Sequence, residues 1–72
     1  MEKTVFGEFQ KNSRELLRVA SSEYNGHSFI DIRVWTNGKD GGTLPTKKGV
    51  AIHPDLLPQL IELLTKAART NE

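Results

Sequence analysis

The sequence has no cysteine among its 72 residues, which excludes disulfide bridges and zinc sites built on thiolates. A domain this short buries only about 60% of the surface that its unfolded chain exposes. Association of two copies is the remaining common way to stabilise so small a core. We therefore expect one domain, residues 1–72 with a core at about residues 4–69, that forms a homodimer.

The chain also lacks a charge excess of one sign and any long apolar run. Ten Lys and Arg residues against nine Asp and Glu leave a formal net charge of +1, so attraction to a polyanion would depend on where the charges lie. No apolar run approaches the ~20 residues that a membrane span needs. No basic segment followed by an apolar run opens the chain. We expect a cytoplasmic protein that does not interact with membranes.

No pattern for catalysis, metal binding or cofactor binding is present. The two histidines, His27 and His53, fit ordinary polar roles beside a turn and at a helix start. Glu8, Glu15 and Glu23 lie at predicted strand edges, where they favour solubility over acid–base chemistry. The serines lack a Gly-x-Ser-x-Gly elbow. We expect a protein that is not an enzyme and that uses no metal and no cofactor.

The most informative stretch is residues 29–35, which alternate with period two. One side, the apolar face, carries Ile30, Ile32 and Val34. The other side, the aromatic face, carries Phe29, Asp31, Arg33 and Trp35. Two explanations fit the aromatic face. It is a platform on which nucleic-acid bases stack while the arginine contacts phosphate, or its two rings pack against a partner subunit or a loop.

The Asn25-Gly26 dipeptide predicts a two-residue hairpin turn after a strand at residues 16–24. Counting from the turn gives the opposed pairs Tyr24–His27, Ala20–Asp31, Val19–Ile32, Arg18–Arg33, Leu17–Val34 and Leu16–Trp35. Arginines placed directly opposite one another repel. Two arrangements relieve the repulsion: an anion bound between them, or partial neutralisation by Asp31 with both side chains extending into water.

Two further strands are predicted, one on each side of this hairpin. Residues 4–10 form the first, weakened by Gly7. Residues 44–52 form the last, which follows a flexible turn at residues 37–42 and holds Pro45 at its start or on an edge. A bulge at Gly49 would interrupt the alternation, so parity does not decide whether Lys47 or Lys48 reaches the aromatic face.

The C-terminal segment predicts one amphipathic helix. Its apolar stripe consists of Leu56, Leu57, Leu60, Ile61, Leu64 and Ala68. Pro54 suits a first helical position, whereas Pro58 requires a helix that starts near it or an irregular first turn. The stripe is wider than four strands need, which leaves part of it for a second copy. The sequence thus predicts an α+β fold of four antiparallel strands followed by one helix, ββββα.

The chain resembles the positive cofactor four class of transcriptional coactivators, also called the p fifteen class, over roughly residues 5–68. The matching motifs are Tyr24-Asn25-Gly26, Asp31-Ile32-Arg33-x-Trp35, Pro45-x-Lys47-Lys48-Gly49 and the proline-led leucine-rich helix. The segment at residues 11–15 is similar to the bacterial branch in particular. A bacterial source would imply a nucleoid-associated protein, and a phage source a protein of the host cytoplasm.

This resemblance implies a curved antiparallel sheet backed by the helix, with two copies paired through their helices. It implies a groove on each sheet that binds single-stranded DNA with little sequence preference. By position it implies strand contacts from Tyr24, Trp35 and Lys48, with Arg33 and the basic residues near Arg14 and Arg18 lining the groove. With Phe29 and Lys47 from the residue patterns, the predicted DNA-binding residues are Lys11, Arg14, Arg18, Tyr24, Phe29, Arg33, Trp35, Lys47 and Lys48. The implied dimer contacts are Leu57, Leu60, Ile61 and Leu64. The chain departs from its relatives at His27, Thr36 and Leu44, and each departure removes a stacking or phosphate contact.

The sequence therefore predicts a homodimeric single-stranded DNA-binding protein that acts in transcription, replication, recombination or repair. The alternative is a protein-interaction module whose aromatic face binds a transcription or replication protein. RNA is a further possible partner, because base stacking does not require sensing the 2′-hydroxyl group.

Overall fold

The computed structural model describes residues 4–70, which form four strands and a C-terminal helix. The strands are β1 (Val5–Gln10), β2 (Glu15–Tyr24), β3 (His27–Asn37) and β4 (Thr43–Ile52). A 3-10 turn at Pro54–Leu56 leads into α1 (Leu57–Thr70). The strands pair in chain order in one open, curved antiparallel sheet, so the predicted ββββα fold is confirmed. Residues 1–3 and 71–72 of the predicted domain lie outside the described residues.

The β2–β3 hairpin has the register that the sequence predicts. Asn25 and Gly26 have φ angles of 51° and 78°, as a type I′ turn requires at both central residues. Tyr24 then pairs with His27, and the five other predicted pairs follow in order. The turn therefore fixes which side chains share each face of the sheet.

The β3–β4 pairing contains a bulge at the lysine segment. Arg33 pairs with Gly49 and Trp35 pairs with Pro45, so three β4 residues lie opposite the single β3 residue Val34. The bulge predicted near Gly49 is confirmed, and it extends over residues 46–48. Both flanking pairs keep the parity of the aromatic face. Because the bulge interrupts the alternation, the pairing does not set the faces of Lys47 and Lys48, and the contact of Lys48 is with Glu15, 3.7 Å from Nζ to Oε2.

The hydrophobic core of the single chain is small. Among the described residues only Ile30 and Val34 are buried, at 9% and 7% exposure, and Ile32 is half-buried. All three belong to the predicted apolar face. Phe9 pairs with Leu17 on that face and is 61% exposed, and α1 has no buried residue. Much of the apolar face therefore stays open to solvent in one chain.

The start of the helix explains its two prolines. His53 accepts a hydrogen bond on Nδ1 from the Asp55 backbone N–H at 3.1 Å and so caps the 3-10 turn that Pro54 opens. Pro58 is the second residue of α1, where its missing N–H has no intrahelical partner to lose. Of the two predicted arrangements, the structure has the helix that starts near Pro58, with the 3-10 turn before it. Within residues 4–70, no helix combines the length and apolarity needed to cross a membrane.

Candidate nucleic-acid interface

Strand pairing gathers five of the predicted DNA-binding residues on the aromatic face. Arg18 lies opposite Arg33, and Trp35 lies opposite Leu16. Nearer the hairpin turn, Phe29 pairs with Ser22 and Tyr24 pairs with His27. Because each of these residues has the same parity, the face carries three predicted aromatic residues and two arginines.

The hairpin end of this face is an exposed aromatic group. Tyr24 is 70% exposed and lies next to the turn. The rings of His27 and Phe29 are 6.5 Å apart between centroids and are tilted by 51°. Phe29 and Trp35 are six residues apart on β3, which separates the two ends of the face by roughly 20 Å at strand rise.

At the other end, Arg18 and Trp35 stack on each other. The guanidinium carbon of Arg18 lies 4.0 Å from the Trp35 ring centroid, which is a cation–π contact. The Arg18 Nε–H donates to Glu8 Oε1 at 2.7 Å. An open pocket beside this stack is lined by side chains that include Val5, Ala20, Ser22 and Asp31. The pocket therefore places apolar, hydroxyl and carboxylate groups next to a stacking ring.

Arg33 is more tightly held than Arg18. Its Nε–H donates to both oxygens of Asp31 at 3.2 and 3.1 Å, and its Nη2 donates to Asp31 Oδ1 at 3.0 Å. Its Nη1 donates to the Thr46 carbonyl at 2.8 Å on the neighbouring strand. All three guanidinium nitrogens thus have partners within the chain.

The two opposed arginines are neutralised by separate carboxylates. Asp31 pairs with Arg33, as one of the two predicted arrangements requires, but neither arginine extends into water: the side chains are 18% exposed at Arg18 and 26% exposed at Arg33. Glu8 is the partner that the sequence analysis missed. The signal was the β1–β2 register, which sets Glu8 opposite Arg18 within regular pairing from Gly7 to Gln10, but the connection at residues 11–14 offers no two-residue turn from which to count that register.

A second cluster lies at the end of the sheet where β1 turns into β2. Glu15 Oε1 accepts from Asn12 Nδ2 at 2.8 Å and lies 3.6 Å from Lys11 Nζ, while Glu15 Oε2 lies 3.7 Å from Lys48 Nζ. The hydrogen bond from Asn12 lowers the pKa of Glu15, and the charges of Lys48 and Lys11 lower the pKa further. Glu15 pairs with Thr36, so this cluster lies on the apolar-face side of the sheet.

The structure thus separates the nine predicted DNA-binding residues into groups. Tyr24, Phe29, Arg18, Arg33 and Trp35 share the aromatic face, whereas Lys11 and Lys48 meet at Glu15. Arg14 and Lys47 are exposed and form no ion pair with any described residue.

The predicted dimer contacts fall on one stripe of α1. Leu57 and Leu60 are half-buried, whereas Ile61 and Leu64 are each 58% exposed. Across residues 4–70, no group of three or more histidine or acidic side chains is placed to hold a metal ion.

Comparisons with known proteins agree with this geometry. The family model of Transcriptional Coactivator p15 (PC4) matches residues 11–63. The chain is similar to the orthorhombic crystal structure of BPSL1147, a PC4 homolog from Burkholderia pseudomallei K96243, with a TM-score of 0.87 and 31% identity over 94% of this chain and 92% of that chain. The tetragonal form gives a TM-score of 0.85 and 30% identity over 93% and 98% of the two chains. No curated protein sequence matches this chain.

Proposed function

Because the chain belongs to the Transcriptional Coactivator p15 (PC4) family, we propose that it is a homodimeric protein that binds single-stranded DNA with little sequence preference. We propose that it acts in the cytoplasm in transcription, replication, recombination or repair. The observation that carries the proposal is the aromatic face, where an arginine-stacked tryptophan and an exposed tyrosine share one side of a sheet.

Base stacking supplies the sequence-tolerant part of the proposed mechanism. Every base has a π-face, and stacking on an aromatic side chain is worth roughly 1–3 kcal/mol per base. Tyr24 and Phe29 would receive bases at the hairpin end, and Trp35 would receive one at the other end. A strand that follows the face would therefore bind through its bases without hydrogen-bond readout of their edges.

Cations on the aromatic face and at the adjoining end of the sheet would supply the phosphate contacts. Arg18 has one nitrogen bonded to Glu8, which leaves its terminal N–H groups as donors beside the Trp35 ring. Lys47 is exposed on the bulge opposite Val34, and Lys48 is 72% exposed along its side chain. Lys11 and Arg14 extend this basic set at the β1–β2 turn.

A second copy would cover the apolar surface that the single chain leaves open. The stripe of α1 formed by Leu57, Leu60, Ile61 and Leu64 has no buried member, and two side chains are buried in the described chain as a whole. Large contiguous apolar surface on a small protein is typical of an interface. Pairing through the helices would leave the aromatic faces of both copies available to DNA.

The test is a titration of the protein with a labelled oligo-dT strand, followed by anisotropy and by tryptophan fluorescence. Trp35 is the only tryptophan, so its emission reports on the proposed stacking site alone. We expect quenching on binding, and weaker binding to a duplex of the same length. Affinity should fall with salt at a slope of about −0.7 in log units per phosphate contacted. Unchanged emission at saturating oligo-dT would contradict stacking on Trp35.

A matched pair of aromatic variants tests the face itself. Tyr24→Leu removes an exposed ring from the aromatic face, and we expect binding to weaken about tenfold or more because one stacking contact is lost. Phe9→Leu removes a ring of similar exposure from the apolar face, and we expect little change in DNA affinity. Equal losses in the two variants would contradict the assignment of the DNA to the aromatic face.

One observation favours a second candidate function, a protein-interaction module. Arg18 and Arg33 are both paired with carboxylates within the chain, which leaves the centre of the aromatic face close to neutral. Such a face suits a transcription or replication protein as partner. In that case oligo-dT would not bind at moderate salt, and the Arg18→Ala change would not alter oligonucleotide retention.

Competition with an oligo-U strand tests RNA as the alternative polynucleotide.

A further inference from the structure

Arg33 lies against the β4 bulge that carries Lys47 and Lys48, and this contact deepens the proposed function on which it rests. We propose that Arg33 is a positioning residue: it holds the bulge in shape so that these lysines meet the phosphates of a single strand, and it makes no phosphate contact of its own. The Asp31–Arg33 pair and Thr46 act together in this role.

Arg33 donates its hydrogen bonds to groups on its own strand and on the neighbouring strand β4. Asp31 takes Nε–H and Nη2, and the Thr46 carbonyl takes Nη1 at 2.8 Å. These bonds use three of the five guanidinium N–H groups, so a phosphate could meet at most one N–H on each terminal nitrogen unless it displaced Asp31 or the Thr46 carbonyl. Arg18 differs, because its one hydrogen bond among the described contacts is that from Nε to Glu8.

Thr46, the first residue of the bulge, is hydrogen-bonded both to β3 and to the bulge itself. Its hydroxyl donates to the Val34 carbonyl at 2.7 Å, which replaces a strand-pairing bond that the extra residues interrupt. The same hydroxyl accepts from the Lys48 backbone N–H at 3.1 Å. With the Arg33 bond to its carbonyl, Thr46 is held by three hydrogen bonds at the base of the lysine segment.

Gly49, which follows the bulge, packs closely against the β3 backbone at Ile32 and Arg33. A Cβ atom on Gly49 would lie 2.8 Å from the Ile32 carbonyl oxygen and 2.9 Å from the Arg33 Cα, so only glycine fits beside Arg33. The bulge is thus fixed at both ends, while Lys47 and Lys48 themselves are exposed. A fixed backbone that carries exposed cationic side chains suits a sequence-independent phosphate contact.

A double-mutant cycle on the full chain separates positioning from direct contact. The variants are D31N/R33Q, which removes the ion pair without changing net charge; T46V, which removes the hydroxyl; and K47A/K48A, which removes the lysines. We expect D31N/R33Q and T46V each to weaken oligo-dT binding by about threefold or more, within the range of couplings between neighbouring groups. We expect neither to weaken binding further when added to K47A/K48A.

The opposite pattern would overturn the inference. If Arg33 contacts phosphate directly, D31N/R33Q weakens binding equally with and without the lysines, and T46V has no effect. T70V is the matched control for T46V, because Thr70 donates to the Lys66 carbonyl at the end of α1. Circular dichroism checks that each variant folds. If D31N/R33Q does not fold, T46V is compared in the unaltered protein and in K47A/K48A, and a loss of affinity that occurs only where the lysines are present supports positioning. Failure of the unaltered protein to bind oligo-dT would instead contradict the proposed function.

Discussion

Carboxylates accompany most of the cations in the proposed DNA interface. Glu8 lies on Arg18, Asp31 on Arg33, and Glu15 between Lys11 and Lys48. Such pairing lowers the repulsion between neighbouring cations in the absence of an anion. A bound phosphate would replace the carboxylate as the anion that neutralises Arg18 and the lysines. Removal of Glu8 or Glu15 should therefore make the affinity for DNA fall more steeply with salt concentration.

Glu15 gives the fold a defined dependence on pH. Its pKa is lowered in the folded chain, first by the hydrogen bond from Asn12 and then by Lys48 and Lys11. A lowered pKa means that the carboxylate stabilises the fold above the ordinary glutamate range, and that this contribution is lost as the pH falls through the folded-state pKa. We expect Glu15→Gln to lower the free energy of unfolding at neutral pH, and the difference to shrink as the pH falls below the ordinary glutamate range.

Urea unfolding of both proteins across that pH range measures the effect, at one protein concentration because association contributes to stability. Glu62→Gln is the control, since Glu62 pairs with Lys66 on the exposed side of α1, where both side chains are 68% exposed. We expect it to change stability little at either pH. A Glu15→Gln deficit that stays constant as the pH falls through and below the ordinary glutamate range would show that the side chain acts through packing and not through its charge.

Single residues also show how far the sequence could predict the site. Parity and the Asn25-Gly26 turn were enough to place Arg18 opposite Arg33 and Trp35 on the same face. The partners of the cations could not be predicted in this way. The register that sets Glu8 opposite Arg18 follows from the connection at residues 11–14, which is not a two-residue turn, and Lys48 reaches Glu15 from within a bulge, so neither contact could be counted from the sequence.

Among the elements, β4 departs most from regular structure. Its three bulged residues face one residue of β3, and the strand resumes pairing at Gly49. A glycine in the sequence indicates that a bulge is allowed, but the number of extra residues depends on contacts with Arg33 and Val34 that only the folded sheet provides. The same limit applies to β1, where the sequence predicted a weak strand at Gly7 and the structure has an irregular pairing.

A pair of glycine variants tests whether this backbone approach matters to the sheet. Gly49→Ala would place a Cβ within 2.9 Å of two backbone atoms of β3, so the strands must separate, and we expect a loss of roughly 1–3 kcal/mol in stability. Gly7→Ala meets nothing within 4 Å, and we expect a change below about 1 kcal/mol. Urea unfolding at matched concentration measures both. Equal losses would mean that the close contact at Gly49 relaxes without cost.

The chain as a whole is flat, with extents of 39 × 37 × 18 Å. One layer of sheet with a helix at its end encloses little volume, which explains why two side chains are buried in the described chain. The sequence predicted this shortage of core from chain length alone. It could not predict how little of its own sheet α1 covers, because an amphipathic stripe has the same pattern whether it packs within one chain or between two.

Association through that stripe is the last testable consequence. Leu64→Glu places a charge on the stripe of α1, where Leu64 is 58% exposed in the single chain. Burial of an unpaired charge is costly, so we expect the mass in solution to fall from dimer to monomer and the unfolding midpoint to fall with it. Gln59→Glu adds the same charge on the opposite side of α1 and should change neither. A protein that sediments as a monomer before substitution would contradict the proposed dimer outright. A dimer unaffected by Leu64→Glu would mean that the copies pair elsewhere, for instance along the open strand edges, and that the stripe on α1 is covered by another surface.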